Sequence, residues 1–216
     1  MDAIIQKVAD RVRHSSKRTV IGISGHGASG KTTFAKKLSE YLNPIEVNYI
    51  NTDPYIIGSS LRKYTLLDYE YENKNHRFKM TACHPVAHNA QSLERDVKMV
   101  RDGLDLYTMD THYLKSTLIT PQNKITIVEG MSVAFINPEL LDLKIYLYTD
   151  GETELNRRGI RDVSERGADM DFIRQSHEER RIQYELFMHP YHKNFDVVLK
   201  NSNEGYDVEK LEMSDY

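Results

Sequence analysis

Residues 25 to 32 read Gly25-His26-Gly27-Ala28-Ser29-Gly30-Lys31-Thr32, which matches the pattern Gly-x4-Gly-Lys-Ser/Thr. In such a loop the glycines let successive backbone N–H groups curl around phosphate oxygens, and the helix that follows points its positive dipole end at them. Lys31 can bridge the outer phosphates, and the Thr32 hydroxyl, with Thr33 next to it, can ligate magnesium. Gly22, Gly25, Gly27 and Gly30 fall within nine residues. A plain strand-to-helix turn does not need four glycines, each of which costs conformational entropy. The loop therefore implies a nucleoside triphosphate but leaves the reaction open. Neither the guanine-reading Asn-Lys-x-Asp nor a Leu-Ser-Gly-Gly motif occurs, which argues against a GTPase and a transport ATPase.

Two carboxylates fall at predicted strand ends. Asp53 follows the run Ile45 to Ile50, and Glu129 closes the run Ile125 to Val128. Phosphoryl transfer needs one carboxylate to accept the proton of the attacking hydroxyl and others to hold magnesium, directly or through water. Asp53 is the expected base, and Glu129 with Thr32 the expected magnesium holder, with Asp53 as a third ligand. Further on, Arg157, Arg158, Arg161, Arg166, Arg174, Arg180 and Arg181 lie within 25 residues. The later ones fit a solvated helix face with acidic partners such as Glu178 and Glu179. Arg157 to Arg166 surround an expected helix break, and a basic segment closing there would bring charge to the transferred phosphoryl group.

The elements that must position these groups alternate in type. Residues 2 to 13 repeat apolar positions at helical spacing. Thr19 to Ser24 reads as a buried strand, Lys31 to Tyr41 as a helix, and residues 89 to 102 as another helix. Ile145 to Tyr148 and Phe195 to Leu199 are further strand-length apolar runs, with a charged helical stretch over 152 to 190 between them. This alternation predicts an α/β fold, a three-layer doubly wound and mostly parallel sheet whose ligands bind beyond the carboxyl ends of the strands. With no linker or repeat, the 216 residues are expected to form one domain, with an N-terminal helix in 1 to 18 and a lid and following helix in 152 to 190.

Composition agrees with a folded protein. Hydrophobic residues make up 39%, and 29 Lys plus Arg against 32 Asp plus Glu give a formal charge of -3. That balance argues against a nucleic-acid partner, and no run approaches the ~18 apolar residues of a membrane span. One cysteine, Cys83, excludes an internal disulfide, and without a signal-peptide core at the N-terminus a cytoplasmic setting is expected.

From about Val20 to Leu199 the chain resembles the uridine kinase and phosphoribulokinase superfamily of P-loop kinases, most closely its uridine/cytidine kinase branch. The residues that carry the resemblance are the loop through Thr33, Asn51-Thr52-Asp53-Pro54-Tyr55, Ile127-Val128-Glu129-Gly130, and Arg157-Arg158-Gly159-Ile160-Arg161-Asp162-Val163-Ser164-Glu165-Arg166-Gly167. It implies a five-stranded parallel sheet with helices on both sides and a small β extension over the acceptor. It also implies ATP and magnesium, Asp53 as base, Arg158, Arg161 and Arg166 on the ATP phosphates, and a homo-oligomer. Arg161 joins Lys31 and Asp53 in the catalytic set. Tyr55, Cys83, Tyr107 and His112 fall on its acceptor-binding positions.

Departures concentrate on the acceptor. The family's Phe-Asp-x-Pro-x-Ala, whose Asp holds the ribose hydroxyls, is Ala82-Cys83-His84-Pro85-Val86-Ala87 here; its Tyr-Asp is Tyr107-Thr108; and the Arg after Glu-Arg-Gly is Ala168. A thiol in place of a carboxylate removes charged hydrogen bonds worth ~1.5 to 3 kcal/mol each. The expected acceptor is thus a small-molecule hydroxyl, either of a nucleoside or of another metabolite such as a sugar phosphate, pantothenate or glycerate. His84, His88 and His112 could bind an anionic acceptor, while their irregular spacing with Cys83 argues against zinc. A nucleotide-binding regulatory protein is the alternative from another class; it would lack Lys31 or Asp53, and both are present.

Overall fold

The computed structural model describes residues 1–13, 15–167 and 169–213, without the side chains of Glu165 and Arg166. In chain order the elements are α1 (Asp2–Arg13), β1 (Thr19–Ser24), α2 (Lys31–Leu42), β2 (Val47–Asn51), α3 (Ser59–Arg62), β3 (Leu66–Tyr71), β4 (Lys74–Lys79), α4 (Ala90–Arg101), β5 (Leu106–Tyr107), β6 (Leu118–Ile119), β7 (Ile125–Glu129), β8 (Leu143–Tyr148), α5 (Gly151–Arg166), α6 (Met170–Gln175), α7 (His177–Phe187), β9 (Val197–Ser202) and β10 (Gly205–Leu211). The main sheet runs β10-β9-β8-β1-β7-β2; all its neighbours are parallel except β10, which returns antiparallel on β9.

The apolar runs serve two faces at once because successive strand side chains point to opposite sides. Ile21, Ile23, Ile127, Ile145, Leu147, Val197 and Leu199 pack with Ile5, Val8, Val12, Phe34 and Leu38 of α1 and α2. Their neighbours Val20, Val128, Tyr146 and Val198 face the other layer, with Leu93 and Val97 of α4 and Tyr184 of α7. Helices on both faces of a mostly parallel sheet are the expected α/β architecture.

Several boundaries differ from the sequence reading. The strand expected from Ile45 begins at Val47, because Pro44–Glu46 form a 3-10 turn capped by the Asn43 side chain. The stretch 152 to 190 is three helices. α5 ends on Gly167 in the left-handed region, φ 62°, and Asp169 caps α6 by accepting the Asp171 N–H. The hairpin β3–β4, the ribbon β5–β6 and the edge strand β10 were not read from the residues, although the family resemblance implied a β extension.

The hairpin is docked by polar contacts to α7. Tyr69 donates to Glu179 Oε2 at 2.6 Å, and the His76 ring contacts Glu179 Oε1 at 2.9 Å. Gln183, fully buried, accepts from the Thr81 N–H at 2.9 Å and the Thr81 hydroxyl at 2.8 Å while donating to the Lys79 carbonyl at 3.0 Å. A buried group stripped of its partner costs about 1–3 kcal/mol. Gln183→Leu, which orphans the Thr81 N–H and the Lys79 carbonyl, should therefore lower the urea midpoint by the equivalent of about 2–4 kcal/mol with little change in slope. An unaltered midpoint would mean that hairpin docking contributes nothing to stability.

Candidate active site

The glycine loop joins β1 to α2. Gly25 takes φ 148° and Gly30 takes φ 93°, a region that favours glycine, and a Cβ on Gly25 would lie 1.9 Å from the Leu147 carbonyl oxygen. The backbone N–H groups of Gly27, Ala28, Gly30, Lys31 and Thr32 have no acceptor among the described residues. The buried Ser29 hydroxyl has no partner either. A strand-to-helix loop with this many open donors is built for an anion.

His26 turns away from that anion face. Its Nδ1–H donates to the Gly27 carbonyl at 2.8 Å, and Nε2 accepts the Thr149 N–H at 3.0 Å. Its ring packs on Tyr184 at 4.4 Å between centroids. Burial holds its pKa down to about 4, against the opposing pull of Glu154, so the ring is neutral. Only its backbone can serve a nucleotide; the side chain locks the loop to the end of β8.

At the carboxyl edge of the sheet, Ile23 and Asn51 both pair with Glu129 across β7. This register brings the loop, the Glu129 carboxylate and the turn holding Asp53 to one edge. Thr32 donates to Glu129 Oε1 at 3.2 Å, Lys31 Nζ lies 3.9 Å from the same oxygen, and Tyr49 donates to Oε2 at 2.9 Å. Tyr49 was not singled out in the sequence; its hydroxyl is held well above the usual phenol range by desolvation and by Glu129. Asp53 opens a 3-10 turn, its carboxylate accepts no hydrogen bond among the described residues, and it lies within electrostatic range of Tyr49.

Among the described residues no group of three or more His, Cys, Asp or Glu could hold a metal by itself. One hydroxyl and one carboxylate side by side, Thr32 and Glu129, nevertheless fit magnesium, which keeps several waters and takes its remaining ligands from phosphates.

The arginines divide. Arg157 reaches back, donating to the carbonyls of Ala28 at 3.5 Å and Asn201 at 3.1 Å, while Asn201 Nδ2 donates to the Ser29 carbonyl at 2.8 Å. Arg158 is 5% exposed, its Nε and Nη1 lack hydrogen-bond acceptors, and its nearest carboxylates are Asp162 at 3.7 Å and Glu154 at 3.9 Å. Desolvation, with Arg180 next, holds its pKa down to about 10. Arg161 is paired with Asp162 at 2.8 Å. The side chain of Arg166 lies outside the described residues, as does Ala168. Arg180, expected on a solvated face, instead extends to the loop: its Nη2 is 4.0 Å from where a Cβ on Gly27 would sit, and its buried Nε has no partner among the described residues. Nothing in a local charge pattern marks it, since Arg181 beside it pairs with Glu185 at 2.6 Å.

Expected acceptor residues are dispersed. Tyr55 is 1% exposed and its hydroxyl donates to Asp96 of α4, so it belongs to the core. Cys83 is buried, and desolvation pushes its thiol up to about 11. Tyr107 and His112 are exposed; Tyr107 sits on β5, and the His112 ring packs edge-on against Tyr113. His88 faces inward between Ser132 and the Ala82 carbonyl, both at 2.8 Å, which removes it from the acceptor surface. His84 caps a turn by accepting the Val86 N–H.

The model of the Phosphoribulokinase / Uridine kinase family matches residues 20–205. The chain belongs to this family. Among its relatives, the uridine kinase of Macrococcus caseolyticus is 31% identical over 198 residues, covering 85% of this chain and 88% of that protein. In fold the chain is similar to D-glycerate 3-kinase from Cryptococcus neoformans, with a TM-score of 0.61, 11% identity and coverage of 95% and 99% of the two chains. It is also similar to phosphoribulokinase from Rhodobacter spheroides, with a TM-score of 0.59, 17% identity and coverage of 86% and 71%. As a kinase of the uridine kinase family it is expected to use ATP and a divalent metal.

The neutral state of His26 has a measurable consequence. In the unfolded chain the imidazole takes up its proton near its ordinary value of 6.5, whereas in the fold it waits until about pH 4. Its contribution to stability is therefore full above pH 6.5 and is lost as pH falls toward 4, a total of roughly 3 kcal/mol. Urea titrations of wild type should show stability declining between pH 7 and 5. His26→Gln, which can still accept the Thr149 N–H, should flatten that slope; an equally steep variant would place the titration elsewhere.

Proposed function

We propose that the protein is an ATP- and magnesium-dependent kinase built on the uridine kinase plan, transferring the γ-phosphoryl group to a hydroxyl of a small molecule. The observation that carries the reading is the meeting of Lys31 and Thr32 on Glu129 beneath a loop of open N–H donors. In this reading one kinase domain, acting in the cytoplasm, spans the chain, and α5 with α6 acts as its lid.

The loop from Gly25 to Thr32, followed by Thr33, binds the triphosphate, and Lys31 bridges its outer phosphates. Thr32 and Glu129 would hold magnesium, which neutralises charge on the phosphate oxygens. Asp53 accepts the hydroxyl proton of the acceptor. The acceptor oxygen then bonds to the γ-phosphorus as the bond to the β-phosphate oxygen breaks, and ADP leaves with the electron pair. Arg158, Arg161 and Arg166 supply positive charge to the phosphoryl group and exclude water. Arg158 suits this part well, because its buried donors wait for acceptors.

A nucleoside and a different metabolite compete as acceptor. One observation favours the second: the residue at the family's diol-binding carboxylate is Cys83, a buried, neutral thiol. Asp53→Asn should lower kcat by about 10²–10⁴-fold while ATP affinity stays within about twofold. Lys31→Ala should weaken ATP binding itself. Equal loss of ATP binding in both variants would remove Asp53 from the role of base.

A further inference from the structure

Three arginines and one carboxylate, Glu154, act on the Cys83 thiol. Arg180 and Arg158 both lie within electrostatic range of its thiol, as does Arg62 of α3. Arg62 and Arg180 also repel each other, as do Arg158 and Arg180. The carboxylates nearby are already shared. Glu154 lies 3.9 Å from Arg158 and 3.5 Å from Arg181, and Asp162 lies 2.8 Å from Arg161 and 3.7 Å from Arg158.

Arg62 and Arg180 have no ion pair among the described residues. Arg62 is nonetheless fixed, with Nε donating to the Ile57 carbonyl at 2.7 Å and Nη1 to the Met80 carbonyl at 3.3 Å. Those two carbonyls belong to the segment after Asp53 and to the segment before Cys83, so this guanidinium is anchored on the acceptor side. Arg180 approaches from the phosphate-loop side, and its guanidinium makes no hydrogen bond among the described residues. Like charges held together in a half-buried space are costly unless an anion joins them, and a rigid guanidinium is shaped to take an oxyanion through two parallel N–H bonds. The triphosphate accounts for the donors facing the loop. It does not account for Arg62.

We propose that the acceptor carries an oxyanion, a phosphate monoester or a carboxylate, held by Arg62 and Arg180 beside Cys83, in place of the vicinal diol of a neutral nucleoside. This rests on the kinase reading and names its substrate class. The oxyanion takes no part in bond making; it fixes the acceptor so that a separate hydroxyl meets Asp53.

The test is ADP release by the full chain with neutral alcohols (uridine, cytidine, glycerol), hydroxylated phosphate monoesters (sugar phosphates) and hydroxycarboxylates (glycerate, pantothenate). Turnover is expected within one of the two anionic groups, and which group responds separates phosphate from carboxylate. Arg62→Gln and Arg180→Gln should each raise KM for that acceptor about tenfold or more, and Arg62→Gln should leave KM for ATP within about twofold. Calorimetric binding of the same acceptor without ATP should weaken in parallel, with thermal melts verifying that both variants fold. Turnover of uridine or cytidine that ignores Arg62→Gln overturns the proposal and leaves the kinase intact. An anionic acceptor whose KM ignores both substitutions overturns the assignment to these arginines. No ADP release with any compound overturns the kinase reading and the proposal with it.

Discussion

A loop proposed to take phosphates must keep its N–H groups empty, and this one does so by occupying its carbonyls. The Gly27 carbonyl takes the His26 ring, the Ala28 carbonyl takes Arg157, and the Ser29 carbonyl takes Asn201. With its acceptors tied back toward β8 and β9, the loop cannot relax into an ordinary turn that pairs its own donors. His26 works here only as a neutral ring that donates on one side and accepts on the other. Burial enforces that state. Helix α2, the Lys31–Glu129 approach and the register of three strand ends all build on this fixed loop.

Much of this was legible in the sequence, because the glycine spacing and the continuous apolar runs are local signals. Runs such as Val20 to Ile23 and Ile145 to Tyr148 announce strands covered on both faces, and the structure divides them between two cores. Glu129 could be placed at a strand end from its run alone. The β3–β4 hairpin could not. Its residues, Leu66–Tyr71 and Lys74–Lys79, carry Asp, Glu, Lys and Arg on exposed positions, and what holds it is Glu179 and Gln183, more than a hundred residues away.

The same limit explains the arginines. From spacing, Arg157 and Arg158 look alike and Arg180 and Arg181 look alike. Tertiary structure splits each pair. Arg157 braces the loop from behind while Arg158 is buried with open donors; Arg181 finds Glu185 and the Thr149 carbonyl while the Arg180 guanidinium finds no partner among the described residues. Tyr55 errs in the other direction. The family resemblance puts it on the acceptor, yet α4 supplies Asp96 to take its hydroxyl.

Helix α7 touches both halves of the site within a few residues. Glu179 and Gln183 grip the β3–β4 hairpin, while Arg180 approaches Gly27, Arg181 holds Thr149, and the Tyr184 ring packs at a tilt on His26. A helix moves as a rigid rod, so its hairpin face and its phosphate-loop face share one displacement. Were both proposed ligands to favour the same displaced position of α7, the free energy spent shifting it for one would already be spent for the other, and reciprocity would make the two affinities change by the same factor. Such ligands would be linked through a single helix without touching.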